Sequence, residues 1–102
     1  MLSEINSEAD VKREVKKLLT NYGWFYWMPA GSAYGKNNVD FNALKNDMFL
    51  AIETKYGKNK PTVNQLKFMK NIDDNGGATF RINETNLSAL EGYLITHKAI
   101  YS

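Results

Sequence analysis

Two apolar runs flank Asn46-Asp47 near the middle of the chain, a pattern that points to a β-hairpin. Met48 to Ile52 has the length and composition of a strand, and Phe41, Ala43 and Leu44 form a weaker partner. Asn and Asp both tolerate positive φ, which a two-residue hairpin turn requires. With that turn Lys45 faces Met48, Leu44 faces Phe49, and counting outward brings Asp40 opposite Glu53. Alternation sends Asp40, Glu53 and Lys55 to one face of the hairpin. It sends Phe41, Ala43, Leu50 and Ile52 to the other.

Opposed carboxylates repel and weaken a strand pair, so a chain keeps them readily where a cation sits between them. Hard divalent ions such as Mg²⁺ take one or two carboxylates and fill the rest with water and substrate phosphate. A lysine two residues on is suited to stabilising charge on a phosphate or orienting an attacking water. These residue types together suggest metal-assisted phosphodiester hydrolysis. The same stretch also reads as an ordinary surface hairpin with an Asp–Lys and a Glu–Lys contact.

Asp40, twelve intervening residues, then Glu53-Thr54-Lys55 resembles the D…E-x-K core of the PD-(D/E)XK nuclease superfamily. The flanking residues narrow the resemblance to the virus-type replication-repair nuclease (VRR-NUC) family. Gly35-Lys36-Asn37-Asn38-Val39-Asp40-Phe41 is similar to its approach to the catalytic Asp, with Val39 where the family usually has Pro. Ile52-Glu53-Thr54-Lys55-Tyr56-Gly57-Lys58 resembles its catalytic strand and exit. Thr62 to Phe68 resembles its Gln-x-x-Phe helix, and Gly76-Gly77-Ala78 the entry to its last core strand. The resemblance implies an α/β fold of restriction-endonuclease-like type, an α-β-β-β-α-β core with a C-terminal helix.

Periodicity gives the same order of elements. Val11, Val15, Leu18, Leu19 and Tyr22 form one apolar stripe of a first helix of about twenty residues, capped near Ser7 or starting nearer Ser3. Glu14 lies on the edge of that stripe. It either reaches water or Lys17, or joins the metal cluster as a first-helix glutamate often does in the superfamily. Gly23 suits the helix C-cap. Trp24 to Met28 is an aromatic strand, read as core with Trp24 or Trp27 partly exposed at an edge. Ala30 to Asn38 is a small polar loop in which Lys36 is a candidate phosphate contact. Lys58 and Lys60, in the basic loop after Glu53, are further candidates, or else solvated surface lysines.

Thr62-Val63-Asn64-Gln65 is a capping box opening a helix to about Asp74, with Leu66, Met69 and Ile72 packed inward. Gln65 either caps this helix or, as the resemblance implies, points at the active site. Ala78 to Asn83 alternates as a strand, and Leu87, Leu90, Tyr93, Leu94 and His97 lie at helical spacing behind a possible Asn86 cap. His97 reads as a surface or edge histidine.

A chain of 102 residues with 43% hydrophobic and 24% charged residues is read as one soluble globular domain, and the resemblance implies a single nuclease domain spanning the whole sequence. The absence of cysteine excludes disulfides and thiolate metal sites, and a single His excludes a multi-His zinc site within one chain. A net charge of +2 permits nucleic-acid binding without demanding it. No secretory signal or transmembrane run is seen, so no membrane partner and a cytoplasmic, intracellular location are expected, as for phage-encoded enzymes acting in the host.

The resemblance implies a Mg²⁺- or Mn²⁺-dependent deoxyribonuclease. Asp40, Glu53 and the Thr54 carbonyl would hold the metal, with Glu14 as a further ligand, and Lys55 and Gln65 would act at the phosphate. Compact members of the family act on branched DNA, including four-way (Holliday) junctions, as homodimers. Two other readings stay open: a nuclease for linear or nicked DNA, and a non-catalytic DNA-binding module of the same fold.

Overall fold

The computed structural model describes residues 4–30 and 38–96. The expectations placed on the loop at 31–37 with Lys36, on His97 and on the C-terminal tail lie outside the described residues. The elements are α1 (Glu8–Asn21), β1 (Phe25–Trp27), β2 (Phe41–Lys45), β3 (Met48–Thr54), α2 (Val63–Asp74), β4 (Ala78–Ile82) and α3 (Leu87–Thr96). The four strands form one mixed sheet in the order β1-β2-β3-β4. The first three are antiparallel neighbours. β4 lies parallel to β3, which α2 makes possible, because parallel neighbours need a crossover between them. This is the expected α/β order.

The hairpin forms as the sequence dictates. Asn46 and Asp47 have φ of 50° and 69°, a two-residue turn with both central residues left-handed. The register Lys45↔Met48, Leu44↔Phe49 and Phe41↔Ile52 follows from it.

One face of the sheet is covered by α1 and α3. Val11, Val15 and Leu19 of α1 meet Phe41, Ala43, Leu50, Ile52 and Ile82 from the sheet and Leu90 and Leu94 of α3. The Tyr22 hydroxyl donates to the Glu91 carboxylate at 2.9 Å and ties the two helices together. Among the described residues the other face meets α2, where Val39, Ala51 and Met69 form a much smaller cluster. Gly77 lets β4 follow α2 closely: a Cβ there would lie 2.6 Å from the Ile72 side chain.

Four expectations are adjusted. The first helix has fourteen residues, because the Ser7 hydroxyl accepts the Asp10 N–H and starts it there. Of the two tryptophans it is Trp27 that is partly exposed at the edge, as one alternative had it, but Phe25, read as core, is exposed beside it on β1. Leu66 is 41% exposed, since it lines an open cleft with Thr79 and Arg81 between α2 and β4. Asn86 closes the turn before α3, its side chain accepting from the Asn83 N–H and donating to the Arg81 carbonyl. Among the described residues no helix is long and apolar enough to cross a membrane.

Candidate active site

The site is built where β2 begins and β3 ends. Continuing the register one step past Phe41↔Ile52 sets Asp40 opposite Glu53. Val39, in the position before the aspartate, is fully buried against Ala51 and Met69, so an apolar anchor fixes the entry to β2. Asp40 is 3% exposed and Glu53 0%. These are buried carboxylates, unlike the surface pair of a solvated hairpin. Buried charge is costly unless it is paired and hydrogen-bonded.

Both carboxylates are held by named groups. Asp40 Oδ2 accepts from the Thr54 backbone N–H at 2.8 Å and from the Thr54 hydroxyl. Asp40 Oδ1 lies 3.5 Å from the Lys12 ammonium on α1. The same ammonium is 3.5 Å from Glu8, so it stands between two acids. Glu53 Oε2 lies 3.1 Å from the Lys55 ammonium, the lysine two residues along β3. An Asp–Lys and a Glu–Lys contact are therefore both present.

Two of these partners were not anticipated. Lys12 follows Val11 on the edge of the apolar stripe, a position shared by many solvated lysines. Thr54 was expected to offer its backbone carbonyl. Its fully buried side chain and N–H instead fix the rotation of Asp40. A threonine between two charged residues at the buried end of a strand is the signal that was there to read.

Gln65 fulfils the capping reading. Thr62 Oγ1 accepts the Gln65 N–H at 3.1 Å, and Gln65 Oε1 accepts the Thr62 N–H at 2.9 Å. Its Nε2 also donates to the Asn38 carbonyl at 3.4 Å, two residues before Asp40. The side chain thus links the start of α2 to the approach of the aspartate, and it is positioned to hold backbone.

Glu14 is engaged elsewhere. Its Oε2 accepts from Arg13 Nε at 3.1 Å and lies 3.3 Å from Lys17. These are the contacts of the edge-of-stripe alternative, and among the described residues no group of three or more His, Cys, Asp or Glu is gathered closely enough to hold a metal. Lys58 and Lys60 are exposed on the loop after β3, and Lys60 shares a cleft with Lys55.

The donor set fits a hard divalent cation. It consists of two buried carboxylates facing across a strand pair, one of them locked by two hydrogen bonds to a single oxygen. Mg²⁺ is commonly bound by one or two carboxylates, with water and phosphate completing its shell. Compared with known proteins, the chain matches no family model and no curated protein sequence.

Proposed function

We propose that this chain is a Mg²⁺- or Mn²⁺-dependent deoxyribonuclease resembling the stand-alone VRR-NUC proteins, acting on branched DNA such as four-way junctions. The observation that carries the reading is the buried Asp40–Glu53 pair with Lys55 beside Glu53, in the order and spacing of the D…E-x-K motif. Packing gives no reason to bury two carboxylates on one strand pair, and replacing such groups by apolar ones is often stabilising.

Asp40 and Glu53 would hold the cation, with the Thr54 carbonyl a further donor. When bound, the metal would supply a nucleophilic water at neutral pH and neutralise charge on the phosphate. The protein's own part is positional. Thr54 holds Asp40 Oδ2 and leaves Oδ1 facing the Lys12 ammonium. Gln65 steadies the backbone leading into Asp40. Lys55, anchored on Glu53, places an ammonium where a phosphate oxygen gains charge.

One chain has one such site, so cutting both strands of a junction needs a homodimer. The exposed Phe25 and Trp27 of the edge strand β1, with Leu44 beside Phe25, offer an apolar surface for it.

A second reading has its own support. Lys12 and Lys55 already balance Asp40 and Glu53, as expected of a non-catalytic DNA-binding module whose lysine has taken a cation's place. Labelled four-way junction, linear duplex, nicked duplex and single strand separate the readings when incubated with Mg²⁺, Mn²⁺ or EDTA. Symmetric, metal-dependent junction cuts support the proposal. Metal-dependent cutting of the other substrates alone keeps the chemistry and removes the junction role. Binding without any cutting favours the module.

A further inference from the structure

We propose that the cleft between the end of β4 and the loop after β3 is a subsite for a phosphodiester group of DNA, with Arg81 as its principal contact. This rests on the nuclease reading for its ligand, and its geometry is independent of the carboxylate pair. The cleft has a volume of about 220 Å³ and is lined by Lys55, Lys60, Arg81, Asn59, Asn83 and Pro61 among others, with no carboxylate in its wall. Drug-sized ligands occupy pockets of roughly 300–1,000 Å³, so this one suits a small anionic group.

Charge points the same way. Lys55 is paired with Glu53, but Arg81 and Lys60 have no ion pair among the described residues. The acids nearby are engaged elsewhere. Asp74 pairs with Lys70 at 2.8 Å, and Asp73 accepts from the Thr79 hydroxyl at 3.0 Å. Glu84 accepts from the Gly57 N–H at 3.0 Å. Arg81 and Lys60, gathered in one cleft beside the Glu53-paired Lys55, focus a positive field, which an anion relieves.

Register connects the cleft to the chemistry. Arg81 is the Cα partner of Glu53 in the parallel β3–β4 pair, so the two side chains leave the sheet on one face from adjacent strands. Adjacent strands lie roughly 4.8 Å apart. Lys55 lines the cleft and touches Glu53, bridging the two places. A guanidinium takes two phosphate oxygens with its planar fork, and the Asn59 and Asn83 amides supply neutral donors. A phosphate held here would fix the strand next to the bond placed over Asp40 and Glu53. Lys60 was expected to meet DNA; Arg81, Asn59 and Asn83 were not singled out by the sequence.

The test is DNA binding in EDTA, where cleavage cannot contribute, using a labelled four-way junction and a linear duplex over a salt series. Arg81 is exposed, so Arg81→Ala is expected to melt like the wild type. It should weaken binding about tenfold and flatten the log–log salt dependence by roughly 0.9, the value of one phosphate contact on duplex DNA. Arg81→Lys should keep the salt slope while losing part of the affinity. Unchanged affinity and slope in Arg81→Ala would overturn the subsite, even if metal-dependent cleavage is intact. Loss of affinity in Arg81→Ala from a protein that never cuts DNA would uphold the subsite and sink the nuclease reading alone. Tight calorimetric binding of inorganic phosphate, lost in Arg81→Ala while DNA affinity is unchanged, would also overturn it, in favour of a free-phosphate site.

Discussion

The two faces of the sheet are built from one hairpin yet solve different problems. Phe41, Ala43, Leu50 and Ile52 point into a dry core closed by α1 and α3. On the opposite side, the α2 face carries Asn42 and Glu53, both buried, beside the small cluster of Val39, Ala51 and Met69, and Asp40 is buried at the sheet end just before β2. Alternation along β2 and β3 makes this division possible, because successive residues point to opposite faces. The first face lowers the free energy of the fold through burial. The second contains groups that are costly to bury; Lys12 and Thr54 meet Asp40, and Lys55 meets Glu53. The apolar core and the proposed site residue Glu53 thus lie on opposite sides of the same seven-residue strand β3.

Substitutions that separate the faces test this division. The largest effect is expected from Glu53→Gln or Asp40→Asn. Each should lower DNA cleavage by at least about 100-fold, the scale on which transition-state charge stabilisation is lost. Both proteins should stay folded by circular dichroism. No large stability gain is expected from relieving repulsion, because each carboxylate already has an ammonium within 3.5 Å or less.

Leu50→Ala changes the other face. It should cost about 2–5 kcal/mol of unfolding free energy in urea titrations, through lost burial and a residual cavity. The protein that remains folded should cleave normally. A Leu50→Ala variant with full stability and no activity would erase the distinction between the faces.

Thr54→Val sharpens it. The change removes the hydroxyl and leaves the backbone N–H and the volume almost intact. Supporting hydrogen bonds to a metal ligand typically contribute 10–100-fold in metal affinity. Mn²⁺ affinity by calorimetry should therefore fall about tenfold or more, and Thr54→Ser should restore it. If Ser and Val behave alike, the hydroxyl serves packing and does not position Asp40.

The smallest effect lies on the dry face and depends on pH. The hydrogen bond to Glu91, then burial, raises the Tyr22 hydroxyl above its usual pKa. The folded chain therefore keeps a proton that the unfolded chain releases near about pH 10. The stability from this contact is complete below that pH and is lost as pH rises through the folded value. The wild type should show this extra alkaline loss in thermal melts, and Tyr22→Phe should lack it.

How much of this could be read in the residues differs between the faces as well. The turn at Asn46-Asp47 and the run Met48 to Ile52 determine a register locally, so the opposition of Asp40 and Glu53 needed no tertiary information. The capping box at Thr62 and Gln65 was equally local. What escaped depended on packing between distant segments. Lys12 reaches Asp40 only because α1 lies across the sheet end, and Arg81 joins Lys60 only because β4 pairs parallel to β3. Glu14 was legible locally: the resemblance implied a metal ligand, while its place on the helix offered Lys17 as a partner, and that contact forms beside one to Arg13.

The most direct measurement is cleavage of a labelled four-way junction by the wild type and Glu53→Gln, purified in parallel, each with Mg²⁺ and with EDTA. The account predicts cutting by the wild type with Mg²⁺ alone, and none by Glu53→Gln or in EDTA. Cutting by Glu53→Gln at the wild-type rate, or cutting that survives EDTA, would contradict it.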